Sequence, residues 1–373
     1  MSKTLDLLDI KILEQLDKYG PRNISYIAQN LGIPIETTRK RVKRLISQFF
    51  LAFYANVYHT NIGLKKALVF ADALPGYEEV LFKCLKANDF WLYVGRYYGR
   101  CEGCYGIYGI PKEHTQEFEE FIHKLEEAEV ARKLQLFWST CLHTVNLAGK
   151  WFDPESKTWT FQWNKWIEGI PTKGTELPYT LMEPKDFPIK ADYIDILILT
   201  KLEVNLAVSF RDIAKIINIS PETVSYHYKN HILKRGLLEK SQVFFLRFDR
   251  AISDFFVFIF RFDDKDKMAR FASSLLNKPF VYTLGKIVNE NALTAHIYLP
   301  RKEFRKFIQS LSELIKRRLL QTYEYVIEDF DVKAAQTISY EYFKDGSWVY
   351  NHKTHLENLK NLVRNARLGK FKA

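Results

Sequence analysis

The sequence predicts an α+β protein made of two copies of one unit, and three observations carry that prediction. Residues 7–43, LLDIKILEQLDKYGPRNISYIAQNLGIPIETTRKRVK, align without a gap with residues 193–229, YIDILILTKLEVNLAVSFRDIAKIINISPETVSYHYK, at a constant offset of 186. Asp9 falls on Asp195, Ile27-Ala28 on Ile213-Ala214 and Glu36-Thr37 on Glu222-Thr223. The same register returns downstream, where Phe121-Ile122 meets Phe307-Ile308 and Leu134-Gln135 meets Leu320-Gln321. Each copy opens with helical periodicity, passes to alternating strand and helix patterns, and ends in an aromatic stretch, KWFDPESKTWTF (150–161) and EYFKDGSWVY (341–350). Self-similarity at a fixed offset implies one folding unit, here about 150 residues, duplicated along the chain.

In the first copy Leu5, Leu8, Ile12 and Leu16 mark one face of a first helix, and Ile27, Ala28 and Leu31 that of a short second one. Gly32 supplies a tight turn into a third helix, which is expected to bury Thr38, Val42, Leu45 and Ile46. Ala28 is small where two helices must approach, and the spacing is that of a helix-turn-helix. In the second copy Ser220-Pro221 pairs an N-cap residue with proline at the first helical position. After each third helix, FFLAFYANVY (49–58) and GLLEKSQVFFLRF (236–248) read as apolar hairpin wings.

The remainder of each copy runs strand, helix, strand, strand, helix, strand: KKALVFADAL, GYEEVLFKCLKAND, FWLYVGRYYG, GCYGIYGI, KEHTQEFEEFIHKLEEAEV and RKLQLFWSTCLHTV in the first. This is the ferredoxin-like βαββαβ order, an antiparallel sheet with both helices on one face. The other, aromatic-rich face needs cover, and packing the two sheets as an intramolecular pseudo-dimer supplies it. The expected boundaries are a winged helix-turn-helix at 1–60, a ferredoxin-like domain at 61–160, a linker at 161–190, a second winged helix-turn-helix at 191–248, a second ferredoxin-like domain at 249–350 and a basic tail at 351–373. Four prolines mark the linker, which Trp163 and Trp166 should pin at its start. Leu356, Leu359, Leu362 and Val363 make the tail an amphipathic helix that frays into a basic end.

A chain of 373 residues with a net charge of +11 implies a polyanionic partner, and nearly half of that excess lies in the last 22 residues. No stretch approaches the length and apolarity of a membrane span, and the acidic start MSKTLDLLDIKILEQL is unlike a secretory signal, so a cytoplasmic, nucleoid-associated protein is expected. Four cysteines are too few for a disulfide framework. Cys101 and Cys104 form a CxxC with no second pair, so no metal site is expected there. No phosphate loop and no HExxH is present.

The segment LDLLDIKILEQL…ISYIAQNLGIPIETTRKRVKRL resembles the N-terminal winged helix of the leucine-responsive (Lrp/AsnC) family of archaeal and bacterial transcription regulators, and the module after it resembles that family's regulatory domain. The likeness covers residues 5 to about 145 well and 192 to about 335 more loosely, and it suggests an archaeal regulator. Family members carry one unit per chain and dimerise, so this chain resembles a fused dimer. The resemblance implies double-stranded DNA as partner, a small-molecule effector, further homodimerisation, no cofactor and no enzymatic activity. Where the family binds its effector, this chain has VGRYYGRCEGCYG (94–106) and LGKIVNENA (284–292), with Gly95, Arg96, Gly285 and Lys286 as candidate effector-loop residues. The acid that follows the glycine in the family is missing in both copies, so the resemblance does not extend to a free amino acid as effector.

Arg39, Lys40, Arg41, Lys43 and Arg44 fill five of six positions on the third helix. With Glu36 and Thr37 they are expected to face outward, Thr37 and Lys40 toward base edges and Arg39, Arg41, Lys43 and Arg44 toward phosphates. In the second copy the candidates are Thr223, Ser225, Tyr226, His227 and Lys229, and the residues leave open whether that helix reads bases or serves as a protein-contact or weak DNA module. The expected function is a sequence-specific DNA-binding transcription regulator. The alternatives are a tetrapyrrole (siroheme) decarboxylase-like enzyme on the same two modules, and a non-specific chromatin-type DNA-binding protein.

Overall fold

The structure, a computed structural model, describes residues 4–99 and 101–368; the basic residues Lys370 and Lys372 of the expected tail lie outside the described residues. The first helix-turn-helix comprises α1 (Leu7–Tyr19), α2 (Ile24–Leu31) and α3 (Ile35–Phe49). Asp6 and Asp9 close a reciprocal capping box at the start of α1, each side chain accepting the other's backbone N–H. Gly32 takes the left-handed conformation, φ 65°, that ends α2 and turns the chain into α3. The buried stripe of α3 is Thr38, Leu45 and Phe49, whereas Ile46 is 49% exposed. Phe49, one turn beyond Leu45, takes the place expected of Ile46.

From β1 (Ala52–Val57) the chain enters β2 (Leu64–Ala73), α4 (Glu78–Leu85), β3 (Trp91–Tyr98), β4 (Gly103–Pro111), α5 (Thr115–Glu127) and β5 (Ala131–Ser139). A short β6 (His143–Thr144) and the hairpin of β7 (Phe152–Asp153) and β8 (Thr158–Trp159) lead to α6 (Trp163–Gly169). The second half repeats the order: α7 (Tyr193–Val204), α8 (Phe210–Ile217) and α9 (Pro221–Tyr226), the last running into π-helical His227–Leu233. β9 (Leu238–Phe244), β10 (Ser253–Arg261), α10 (Lys265–Leu275), β11 (Val281–Lys286), β12 (Ala292–Pro300), α11 (Arg301–Lys316) and β13 (Thr322–Ala335) follow. The hairpin of β14 (Phe343–Lys344) and β15 (Ser347–Trp348) and the closing α12 (His352–Arg367) complete the chain.

The wings differ from expectation. Neither third helix is followed by its own hairpin; β1 pairs antiparallel with β9, from Ala52 opposite Phe244 to Val57 opposite Leu238. Each strand thereby satisfies its backbone groups on the other half of the chain. The larger strands form one nine-stranded ladder, β5-β2-β4-β3-β13-β10-β12-β11-β6. Because β6 follows β5 in sequence, and Ser139 bridges Ile287, the ladder curls back on its beginning. Inside it the sheet faces meet, Leu68, Phe70, Tyr97, Tyr105, Ile107 and Phe137 from one half against Val257, Ile259, Ile287 and Ala292 from the other.

The linker is a packed strap rather than a tether. Trp163, Trp166 and Ile167 are buried with Phe271, Phe280 and Phe307, and the two indole N–H groups donate to Glu303 (2.9 Å) and Ser274 (3.0 Å). Farther along, Leu181 is buried, Glu183 holds Lys286 and Asp186 holds Lys112. In α12, His355, Leu359 and Val363 pack inward. Among the described residues no helix is long and apolar enough to cross a membrane.

Candidate functional site

The basic run on α3 divides by burial. Glu36, Arg39, Lys40 and Lys43 are exposed and Thr37 is half-buried, with Arg39 paired to Glu36 at 2.6 Å. Arg41 and Arg44 are half-buried, their guanidinium groups turned toward α1. Arg41 contacts Asp6 at 2.6 Å and Asp9 at 2.9 Å, and Arg44 bonds Asp9, whose side chain is fully buried. A buried carboxylate needs compensating charge, and the two arginines supply it from the inner edge of the helix. Burial opposes the charge on Asp6, but the Arg41 guanidinium and the Asp9 N–H hold its carboxyl below the usual range.

The third helix of the second half departs further. Tyr226 and Lys229 are exposed, and Thr223 and Ser225 are half-buried. His227 is buried against Asp195, 2.8 Å from Nδ1 to Oδ1, and so is turned away from any DNA surface. The four expected effector-loop residues lie in strands. Gly95 sits on β3 opposite Lys333, where a side chain would meet Tyr93 and Tyr105, and Arg96 is half-buried beside it. Gly285 is packed under Leu142 and Ser139, and the Lys286 ammonium is buried, bonded to Glu183 and to the Ile287 and Glu290 carbonyls. These positions offer no open loop, because the strap and the facing sheet cover them.

Two sites had no signal in the residue patterns. One is a closed polar cluster: His59 has neither ring nitrogen partnered, buried Lys66 lies close enough to lower its pKa further, and Cys141 Sγ is 3.7 Å from Thr60 Oγ1. Nearby, burial pushes Glu203 up to about 7, against the opposing effects of the Ile338 N–H and Lys66.

The other is a cleft of about 520 Å³ between the end of α3, the β7–β8 hairpin, the β9–β10 connection and the start of α11. Its walls are aromatic, with Phe49, Phe50, Trp159, Phe161 and Phe248. Lys157 and Lys302 are exposed cations on its rim, Arg250 there is paired with Asp331, Asp249 and Glu303 add two acids, and Arg247, 7% exposed, lies in its wall. Arg247 donates to the carbonyls of Pro279 (2.6 Å) and Val281 (3.1 Å), yet its Nε has no partner. Trp159 Nε1 is also buried and unpaired. The corresponding hairpin of the second half shows what is missing, since there Trp348 Nε1 donates to the Ile62 carbonyl at 2.6 Å. Unpaired buried donors are costly, and two beside one cationic, aromatic cleft suit a planar anionic ligand.

A winged helix-turn-helix DNA-binding family profile matches residues 5–48. The chain carries a winged helix-turn-helix segment. No curated protein matches the sequence. Among solved structures, the siroheme decarboxylase NirDL is similar to the chain with a TM-score of 0.57 at 13% identity, over 96% of this chain and 99% of that one. NirDL in complex with an iron-uroporphyrin III analogue gives the same score and identity over 97% and 100%. A transcriptional regulator of the AsnC family from Pyrococcus furiosus is 22% identical over 36% of this chain and 88% of its own, with a TM-score of 0.30. At these identities the likeness to NirDL concerns the fold, which the two share from end to end. The expectation of a non-enzyme is thereby overturned, because the scaffold that matches over its full length belongs to an enzyme.

Proposed function

We propose that the chain is an enzyme of the kind its full-length structural neighbour represents, acting on a planar, polycarboxylated tetrapyrrole bound in the cleft lined by Trp159 and Arg247. The reaction is a decarboxylation: the bond from carbon to a carboxylate substituent breaks, carbon dioxide leaves, and the carbon takes up one proton. The observation that carries this reading is the cleft itself, with aromatic walls for a flat ring, Lys157 and Lys302 for carboxylates, and two buried donors awaiting acceptors. The engagement of Arg41 and Arg44 by Asp6 and Asp9 and the pairing of β1 with β9 support it, since they tie up two of the basic residues and both free wings of a DNA surface. In this reading the two halves stand as the protomers of a fused dimer, and the cleft is built from both, α3 and the β7–β8 hairpin on one side and Arg247, Arg250 and Lys302 on the other. Titration with iron-uroporphyrin III, followed by visible absorbance, should show saturable binding, weakened at least tenfold by Lys157→Ala with Lys302→Ala. Release of carbon dioxide from siroheme then tests the chemistry. An unchanged spectrum, or equal binding by the double variant, counts against the reading.

A second reading rests on the family profile over residues 5–48 and the exposed face of α3. It is a DNA-binding regulator in which Glu36, Thr37, Arg39, Lys40 and Lys43 contact the duplex, with Thr223, Ser225, Tyr226 and Lys229 as the weaker second surface. Lys40→Ala with Lys43→Ala should then lower the slope of log affinity against log salt by about 2, one for each lost phosphate contact. Retention of a shared motif from genomic fragments at moderate salt would favour this reading over the enzymatic one.

A further inference from the structure

Asp192, Asp195 and His227 stand, at the offset of 186, where the first half has Asp6, Asp9 and Arg41. In the first half the acids are neutralised by Arg41 and Arg44. In the second half Asn230 aligns with Arg44, but the π-helical turn inserts a residue and brings His231 to the acids instead. Insertions of this kind in an α-helix are rare and recur at functional sites. The result is two imidazoles and two carboxylates around one point, where the equivalent point of the first half holds fixed cations.

We propose that Asp192, Asp195, His227 and His231 bind one divalent transition-metal ion of the zinc or cobalt type. Their ligand atoms all lie within 4.8 Å of one another. His227 Nδ1 is 2.8 Å from Asp195 Oδ1 and 3.6 Å from Asp192 Oδ1, and His231 Nδ1 is 3.2 Å from Asp195 Oδ1 and 3.2 Å from Asp192 Oδ2. With metal–ligand bonds of 2.0–2.1 Å, the edges of a tetrahedron are about 3.3 Å; the quoted spacings lie near that length, and the widest separations in the set, up to 4.8 Å, must shorten on closing around an ion. The carboxylates are already oriented, Asp192 Oδ1 accepting from the Asp195 N–H at 2.9 Å and Asp195 Oδ2 from the Asp192 N–H at 3.0 Å. Backbone donors of this kind fix ligand direction, leaving Asp195 Oδ1 between the two imidazoles and Asp192 Oδ2 toward His231. Asp195 is fully buried and the His227 and His231 side chains are 10% and 13% exposed, while Asp192, 45% exposed, forms the solvent side by which an ion enters. Arg235, 3.6 Å from Asp195 Oδ2, is the one further cation at the cluster among the described residues. Two imidazoles with two carboxylates suit zinc, cobalt or nickel better than calcium or magnesium, which take oxygen alone. An ion here pins the start of α7 to the π-helical turn.

The test uses the full chain, stripped with chelator and titrated with Zn²⁺ by calorimetry and with Co²⁺ by visible absorbance. One equivalent of Zn²⁺ and the intense absorption of four-coordinate Co²⁺ are expected. Replacing His227→Arg with His231→Arg restores the ion pairs of the first half, should preserve the fold by circular dichroism, and should abolish both signals. Should that variant fail to fold, His231→Asn alone should weaken Zn²⁺ binding at least tenfold. Absence of uptake by the wild-type chain, or uptake that survives in whichever variant folds, overturns the proposal.

Discussion

Within the basic run of α3, neighbouring residues differ in role because they differ in burial. Removing Arg41 leaves the buried Asp9 with half its compensation, so Arg41→Ala should destabilise the first helix-turn-helix by about 3 kcal/mol, whereas Lys40→Ala or Lys43→Ala should cost less than about 0.5 kcal/mol. Urea denaturation of the three variants separates them. The charge run was legible in the sequence, but its division was not: Asp6 and Asp9 lie more than thirty residues from Arg41, and helical periodicity alone does not reveal a buried acid beneath a helix edge. Glu203 makes a second prediction at this scale. Burial raises its pKa from 4.5 to about 7, so the folded chain holds a proton that the unfolded chain has released. Its contribution is therefore present below pH 4.5 and lost as pH rises to about 7, and Glu203→Gln should stabilise the protein at pH 8 by at most about 3 kcal/mol while changing little at pH 4. Thermal melts at both pH values measure this difference.

The strap at 161–190 shows how far a segment's composition misleads about its order. Its prolines and weak periodicity suggest a tether, yet Trp163 stacks with Phe161, lies 5.1 Å from Phe280 between ring centroids, and hydrogen-bonds Glu303. The two tryptophans were the informative residues, because indoles bury large areas only where a partner receives the N–H. Trp163→Ala should cost about 3–5 kcal/mol and speed hydrogen exchange across α6 and the strap before it affects α1–α3. Equal exchange in the variant and the wild type would show that the remaining contacts, Leu181 and the Glu183–Lys286 pair, hold the strap unaided. The helix and strand order of the two modules was legible because each element carries its own apolar period. The exchange of β1 and β9 was not, since a strand's periodicity gives its faces but not its edge partner.

The closure of the whole ladder depends on one long strand. β13 pairs with β10 over 322–328 and with β3 at Ile327, Glu328 and again from Lys333 to Ala335, with an irregular register between Glu328 and Lys333 that lets it bend from one half of the ladder to the other. The sequence located this strand at TYEYVIEDFDV, which includes the first crossing pairs at Ile327 and Glu328, but the three residues beyond it, which extend the crossing at Lys333, Ala334 and Ala335, have no apolar alternation to announce them. If the halves are held by these exchanges, residues 1–160 and 161–373 produced separately each expose strand edges of β1 and β3 or β9 and β13, together with the aromatic inner face of one sheet. Such surfaces are seldom left uncovered. Mixed, the two fragments should form a 1:1 complex by light scattering and recover the near-ultraviolet signal of Phe70, Tyr97 and Tyr105 at the sheet interface. The tetrapyrrole cleft supplies a sharper readout, because α3 and the β7–β8 hairpin come from one fragment while Arg247, Arg250 and Lys302 come from the other. Ligand binding should therefore return only in the mixture. Fragments that remain separate would show that contiguity of the chain, and not the interlocking of the sheets, keeps the halves together.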